Sequence, residues 1–397
     1  MIQTNKIKNN IKFDIVIIGA GPVGIAFACS LSDTKLKVAI IDKLPKKIIE
    51  NPKIDGREIA LTHNSVKLLK KLNVWKNLSN KSISVIKEAR VLDGDSKYFL
   101  NFDHQEIQKE CLGYLIPNYL IKKSLYKKLK SHSNITLINK SECSSINIDE
   151  DFASIILSNK KKIKTSLVVA ADSRFSKIRS KMGIPAFTRD FNKNMIVCRM
   201  EHEKPHKNIA YEFFRYNQTQ ATLPYIKNQS GIVTTANKDF ASVLMKMSKK
   251  KFNMVMESNF NNFFGKMKLM GKRYTYPMIT TYTKKFVSNR FALIGDAAVG
   301  MHPVTAHGFN LGLQGLEILT NEIKTAIKNK SDIGSLSTLK NYQSKIHRVA
   351  APVYFATNSI VNLYTSNILP SKLTRQFFLR FVNTVKPVKQ TFLNILK

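Results

Sequence analysis

The sequence predicts an α/β protein in which a helix-flanked parallel sheet is interrupted by an inserted antiparallel sheet and followed by a helical tail. Three observations carry this prediction. A continuous β-branched run at residues 13–19 (FDIVIIG) leads through a glycine-rich turn and a helical stretch into a second apolar strand at residues 36–42 (LKVAIID). Residues from about 185 to 275 change character and alternate, as strands of an antiparallel sheet do. The buried-strand pattern returns at residues 290–295 (RFALIG), ahead of a helix near Asn310, so the chain re-enters its first domain and that domain is discontinuous.

The first strand is read as parallel and buried on both faces because it carries no polar alternation. The turn after it, Gly19-Ala20-Gly21-Pro22-Val23-Gly24, has dinucleotide-fingerprint spacing. Gly19 allows the tight turn, Gly21 lets backbone approach a diphosphate, and Gly24 permits close helix–strand packing, while the helix N-terminus faces the negative charge. Alone, this spacing is a weak signal. Here it opens a helix at about residues 24–32 inside a βαβ unit of Rossmann type, and Asp42 closes the second strand, placed to accept hydrogen bonds from a ribose diol.

Further along, helices are expected at residues 64–72 and 118–130, short β segments across 135–157, and a buried strand at 166–171 that ends at Asp172. Residues 195–201, 210–214 and 231–236 read as antiparallel strands, with Tyr211, Phe213 and Phe214 as sheet core and pocket wall as their alternative. The tail, residues 336–397, shows helical patterns interrupted at Pro352, Pro370 and Pro387. Packing against the core is the plain reading of that tail, and contact with a membrane surface is the alternative.

The 397 residues suffice for two domains and a large core. The formal charge of +37 would attract an anionic surface, but lysine spread along the chain fits compositional drift better than a designed patch. No base-stacking motif, zinc-finger spacing or continuous basic helix accompanies the charge, so nucleic acid is not an expected partner. Cys29, Cys111, Cys143 and Cys198 are far apart and read as free thiols in a reducing cytosol, with no metal site. The start, MIQTNKIKNNIKFD, lacks the apolar core of a signal peptide, which gives a cytoplasmic expectation. The apolar run from residue 13 to 31 is broken by three glycines and a proline where a strand turns into a helix, which argues against a membrane span.

Residues 290–315 read RFALIGDAAVGMHPVTAHGFNLGLQG. Gly295 and Asp296 follow a strand end, where a carboxylate can hold the hydroxyls of a ribityl chain. Pro303 and Gly308 shape a loop with little side-chain bulk, so that backbone can lie against a flat ring. Asn310, Leu311 and Gly312 then open a helix whose positive end could stabilise negative charge on a reduced isoalloxazine. His302 and His307 flank this loop and could assist proton transfer, because an unshifted imidazole titrates near neutral pH.

The fingerprint, the ADSRFSKIR stretch and the GDAA…HPxxxxGxNxG stretch together resemble the class A flavoprotein aromatic hydroxylases. Residues 56–75 (GREIALTHNSVKLLKKLNVW), 112–121 (LGYLIPNYLI) and 301–313 (MHPVTAHGFNLGL) bring the likeness closer to the ubiquinone-biosynthesis hydroxylases of the UbiH, UbiF and UbiM type. The match covers roughly residues 13–330. His307, where glutamine is usual, and the missing acid near Gly315 point to the UbiM-like branch.

The resemblance implies a para-hydroxybenzoate-hydroxylase-like fold. Its FAD-binding domain would comprise residues 1–80, 100–184 and 275–335, its substrate domain 81–99 and 185–274, and its helical region 336–397. It further implies that Arg57 contacts the FAD diphosphate or ribose region, that Asp172 takes part in flavin and NAD(P)H handling, and that Asp296 and the stretch from Gly308 to Gly312 hold the ribityl chain and ring. Thr222, Leu223 and Pro224 resemble the strand that roofs the family's substrate pocket. The implied reaction is hydroxylation of a polyprenylated phenol on the ubiquinone pathway, at the C5 position or at several ring carbons, through a flavin C4a-hydroperoxide. O2 would be co-substrate and NAD(P)H or another reductant the donor. Other biosynthetic subunits and the inner face of the cytoplasmic membrane are the implied partners. Ser173 and Val299 depart from the family pattern and leave the donor open. A prenyl reductase, a small-phenol hydroxylase and a non-catalytic flavin-binding subunit remain alternatives.

Overall fold

The computed structural model describes residues 10–94, 98–215, 218–303, 307–365, 380–385, 387, 389–390 and 393. The first sheet has the order β17-β18-β11-β1-β2-β8, where β1 is Asn10–Ile18, β2 Val38–Ile41, β8 Ile135–Ile138, β11 Lys162–Ala170, β17 Val287–Ser288 and β18 Phe291–Leu293. The hairpin partners β9 (Cys143–Ile148) and β10 (Ala153–Leu157) join it through β11. Pairing of β1 with β2 and β11, and of β11 with β18, is parallel. Residues 15–17 of β1 are fully buried, as a strand covered on both faces must be.

Helix α1 (Pro22–Ser30) follows β1 and buries Gly24 to Ser30 without interruption. Its apolar run is therefore a core helix, packed against α4 (Asn118–Leu129) and α8 (His307–Lys328). Full burial of Phe27 alone contributes about 2–3 kcal/mol. A Cβ at Gly312 would lie 2.8 Å from Val23 Cγ2, so the missing side chain lets α8 close on α1. The remaining helices here are α2 (Lys46–Glu50), α3 (His63–Lys71) and α5 (Lys177–Lys181).

The second sheet runs β19-β16-β12-β15-β14-β13-β5-β6. Its strands are β5 (Glu88–Asp93), β6 (Phe99–Asp103), β12 (Ala186–His202), β13 (Ile209–Arg215), β14 (Gln218–Pro224), β15 (Gln229–Asn237), β16 (Met267–Thr283) and β19 (Val299–Gly300). The expected boundary at residue 99 falls inside a strand of this sheet, and β16 extends past 274. One face is covered by α6 (Lys238–Lys246) and α7 (Lys249–Asn259), and its core includes Tyr211, Phe213, Phe252 and Phe264. Phe214 faces the other way, into a cluster with Leu100 and Phe102. A small third sheet, β3 (Glu58–Leu61), β7 (Gly113–Pro117) and β4 (Ser84–Ile86), lies in the order β3-β7-β4.

Helix α9 (Leu336–Thr365) corrects one expectation, since it runs through Pro352 without ending. Pro352 is exposed, so the carbonyl it leaves without a partner can meet water, while Ala350, Tyr354 and Val361 are buried and hold both halves against the core. Pro370 lies outside the described residues. All four cysteines are free and buried. Among the described residues no helix is long and apolar enough to cross a membrane.

Candidate functional site

The glycine turn shows why each of its glycines is there. Gly19 has φ +116°, and a Cβ on it would lie 2.5 Å from the Ala171 carbonyl oxygen. At Gly24 a Cβ would lie 2.1 Å from the Gly19 oxygen. Gly21 differs, because its nearest neighbour would be Ala171 O at 3.9 Å and the space before α1 is open. No side chain caps the helix, and Pro22 occupies its first turn, so free N–H groups face that space.

A cavity of about 810 Å3 starts at Gly21, Pro22 and Val23 and runs between the two large sheets. Arg57, Asp172, Gly295, Asp296, His302, Pro303, His307, Gly308 and Asn310 line it, so the fold gathers the expected site residues from distant parts of the sequence around one space. Val304, Thr305 and Ala306, within the expected ring-facing loop, lie outside the described residues. Gly19, Gly24, Leu311 and Gly312 shape the walls from behind without lining the cavity.

The polar groups have identifiable partners. Asp42 accepts from Ala20 N at 2.7 Å and Leu44 N at 2.8 Å, which binds the end of β2 to the turn. Asp296 pairs with Arg174 at 2.9 Å, whose other nitrogen donates to Ile279 O at 2.7 Å. Asp172 Oδ1 is buried without a hydrogen-bond partner among the described residues. Arg57 pairs with Asp55 at 2.7 Å and lies over the Tyr276 ring, 5.1 Å from its centroid. Burial works against ionisation of Asp55, but Arg57, Asn118 and Lys122 outweigh it and hold its carboxyl below the usual range. Asn310 donates to Ala60 O at 2.8 Å and accepts from Thr62 N at 3.1 Å, so its amide clamps α8 to β3.

His302 requires a correction. It is buried against Phe191 with ring centroids 5.1 Å apart. Burial first, and then Lys193, Arg174 and Arg189, push its imidazole down to about 3. It stays neutral at physiological pH, so the near-neutral titration expected from sequence does not hold. His307 stands at the first turn of α8 on the cavity wall.

Strand alternation divides the expected roof. Leu223 lines the cavity, whereas Thr222 is fully buried on the opposite face and Pro224 is not on the wall. On the cavity face the sheet presents mainly Val197, Ala221, Val233 and Phe214, interrupted by Glu212. The side chain of Glu58, on β3, is buried and bonded to Arg199 at 2.6 Å, while its Oε2 has no hydrogen-bond partner among the described residues. Burial pushes its carboxyl up in spite of Arg199. Sequence reasoning missed Glu58, Arg174, Arg199 and Glu212. Only Glu212 left a trace, as a single acid in the otherwise apolar and aromatic run IAYEFF.

Known proteins resemble this chain in sequence and in fold. The model of the FAD binding domain family matches residues 12–356. Ubiquinone hydroxylase UbiM of Neisseria meningitidis is 37% identical over 381 residues, covering 95% of this chain and 83% of the relative. Ubiquinone hydroxylase UbiL of Rhodospirillum rubrum is 30% identical over 380 residues, with 96% and 88% covered. The crystal structure of p-nitrophenol 4-monooxygenase PnpA from Pseudomonas putida superposes with a TM-score of 0.76 at 14% identity, covering 97% of each chain, which establishes a shared fold.

Proposed function

The chain belongs to the FAD binding domain family, as a flavin-dependent monooxygenase, and from that premise we infer that it hydroxylates the ring of a polyprenylated phenol in ubiquinone biosynthesis. One observation carries the reading: a single cavity joins the glycine turn and Asp296 to a wall of apolar sheet residues. The first half suits a dinucleotide and the second an apolar aromatic substrate. Likeness to two ubiquinone hydroxylases supports the substrate class.

The residues present fit FAD. The open space at Gly21, the uncapped N-terminus of α1 and the buried Asp172 Oδ1, which has no hydrogen-bond partner among the described residues, are features a bound diphosphate nucleotide would satisfy. In this reading Gly21 and the α1 amides hold the diphosphate, Asp42 uses its remaining lone pairs on the ribose, and Asp296, kept in place by Arg174, holds the ribityl hydroxyls. Arg57 stays beside the nucleotide through Asp55 and Tyr276. Pro303, Gly308 and the start of α8 lie along the ring. Bound FAD supplies electron transfer from NAD(P)H or another reductant and the activation of O2. The protein supplies position and a space shielded from water by Val197, Leu223 and Val233.

The same reading has the protein visiting a membrane surface to collect a lipid-soluble substrate. Supporting it, Phe187 and Phe355 are 59% and 60% exposed. They lie near each other, since Phe187 pairs with Tyr282 and the Tyr282 ring is 5.9 Å from Phe355, and Lys284 sits over Phe187.

The test is incubation of the FAD-loaded protein with a reductant, a prenylated phenol and 18O2. One 18O atom per product is expected, with no product under anaerobic conditions. Product formed without O2 would instead favour a reductase. Complementation of bacterial mutants lacking single ring-hydroxylation steps, followed by quinone-intermediate profiling, identifies the ring carbon.

A further inference from the structure

We propose that Glu212 receives the ring hydroxyl of the substrate and takes its proton, so that the ring is presented to the oxidant as a phenolate. This rests on the hydroxylase reading and names the group on which substrate selection would depend.

The placement follows from the register of the sheet. Glu212 pairs with Ala221 on β14 and Val91 on β5, and Ala221 pairs with Val233, which pairs with Val197. A carboxyl thus stands in a row of four aliphatic side chains across the cavity face of five strands. Glu212 is half-buried, lines the cavity and makes no ion pair or hydrogen bond among the described residues. A carboxyl in such a wall loses hydration without gaining a protein partner, a cost evolution removes easily with Gln or Leu unless a ligand supplies the missing hydrogen bond.

The surroundings leave Glu212 as the proton acceptor on this wall. Its neighbours along β13 on the same face are Ala210 and Phe214, and β6 contributes Leu100 opposite Val91. Helix α9 sends Val353, Ala356, Thr357 and Ile360 into the cavity, none of which titrates. The other titratable groups on the same face include Asp93, which has a partner of its own, the Glu58–Arg199 pair near Gly231, Lys193 on β12, and Tyr274 and Tyr276 on β16, of which Tyr276 donates its hydroxyl to Asp55 O at 2.7 Å. Across the cavity, His302 is held neutral by burial and by cations.

The phenolic O–H bond breaks, the proton goes to a Glu212 carboxylate oxygen, and the electron pair stays on the phenolic oxygen, where it enriches the ortho and para ring carbons. After oxygen transfer the proton returns to the product oxygen. Burial pushes the Glu212 carboxyl up to about 8. That brings it close to a phenol at about 10, so proton sharing costs far less than it would with an ordinary carboxylate.

The experiment compares 2-geranylphenol with its O-methyl ether, using the FAD-loaded protein, a reductant and O2. The ether keeps the shape and loses the proton. The unsubstituted protein is expected to favour the phenol by at least about tenfold in kcat/KM, the scale of one hydrogen bond to a charged group. This preference should grow as pH rises through about 8. Glu212→Gln should reduce it to within about threefold and flatten its pH dependence while FAD content stays unchanged, and Glu212→Asp should restore part of it. An equal preference in the Gln variant overturns the proposal. So does a phenol-to-ether ratio near one in the unsubstituted protein, a measurement that needs no variant. If the unsubstituted protein converts neither compound, the hydroxylase reading falls. Phenolate absorbance on binding 2-geranylphenol, with and without Glu212→Gln, then still decides the role of Glu212.

Discussion

The glycine turn allows a test in which folding and cofactor binding respond to different substitutions. Gly24→Ala would place a methyl 2.1 Å from the Gly19 oxygen, a backbone atom that can move only if the turn opens. Overpacking of this kind costs about 1–3 kcal/mol or more, so the melting temperature should fall by several degrees with or without FAD. Gly21→Ala meets nothing nearer than 3.9 Å, at φ −70°, where alanine fits. The apo protein should then melt within about 2 °C of the parent, since loss of glycine flexibility in the unfolded chain and a poorer helix cap offset each other at about 0.5 kcal/mol each. Its new methyl does, however, occupy the approach that the diphosphate would use. Losing one charge-assisted hydrogen bond costs about 1.5–3 kcal/mol, or about 10- to 100-fold in FAD affinity. Apo melting curves and titration of FAD fluorescence measure the two quantities separately. Unchanged FAD affinity in Gly21→Ala would refute the placement of the diphosphate, and equal apo destabilisation by both substitutions would refute the packing argument.

Other predictions address the remaining walls. Asp296→Ala should lower FAD retention after gel filtration while leaving the apo fold intact, because it removes only the partly exposed pair with Arg174. Arg199→Met strands the buried Glu58 carboxylate and should cost about 3 kcal/mol in urea unfolding, most of it recovered when Glu58→Gln is added. Thr222→Val replaces a buried hydroxyl that lacks a partner among the described residues and should hold or raise the melting temperature without changing KM, whereas Leu223→Ala should change KM for a prenylated substrate. His302 links pH to stability. Its folded pKa, near 3, lies below the unfolded value near 6.5, so the unfolded chain binds the extra proton and stability falls as pH drops from about 6.5 towards 3. Urea midpoints at pH 7, 6 and 5 should decline less steeply in His302→Gln, and parallel declines would contradict the burial argument.

What could be read from the chain alone was whatever local chemistry dictates. The β-branched run of β1, the glycine spacing and the aspartate closing β2 each constrain backbone that is near in sequence, so strand, turn and helix were legible, and α3 and α4 were placed to within a residue or so. The second βα unit at Asp296 was legible for the same reason. Pro352 misled because a proline breaks an isolated helix, yet the buried side of α9 holds both halves of this one straight enough to continue.

Only the tertiary structure decided which faces meet. Thr222 and Leu223 are neighbours in sequence, and the two-residue period of a strand puts one in a sealed core and the other on the cavity. Whether His302 titrates near neutrality depends on Phe191, Lys193 and Arg174, contributed by segments more than a hundred residues away. The isolation of Glu212 exists only because β5 and β14 flank it with Val91 and Ala221. Backbone conformation is set largely by each residue and its near neighbours, so the sequence could determine the cofactor turn. The energy of a charge depends on everything that excludes water around it, so the character of the site waited for the fold.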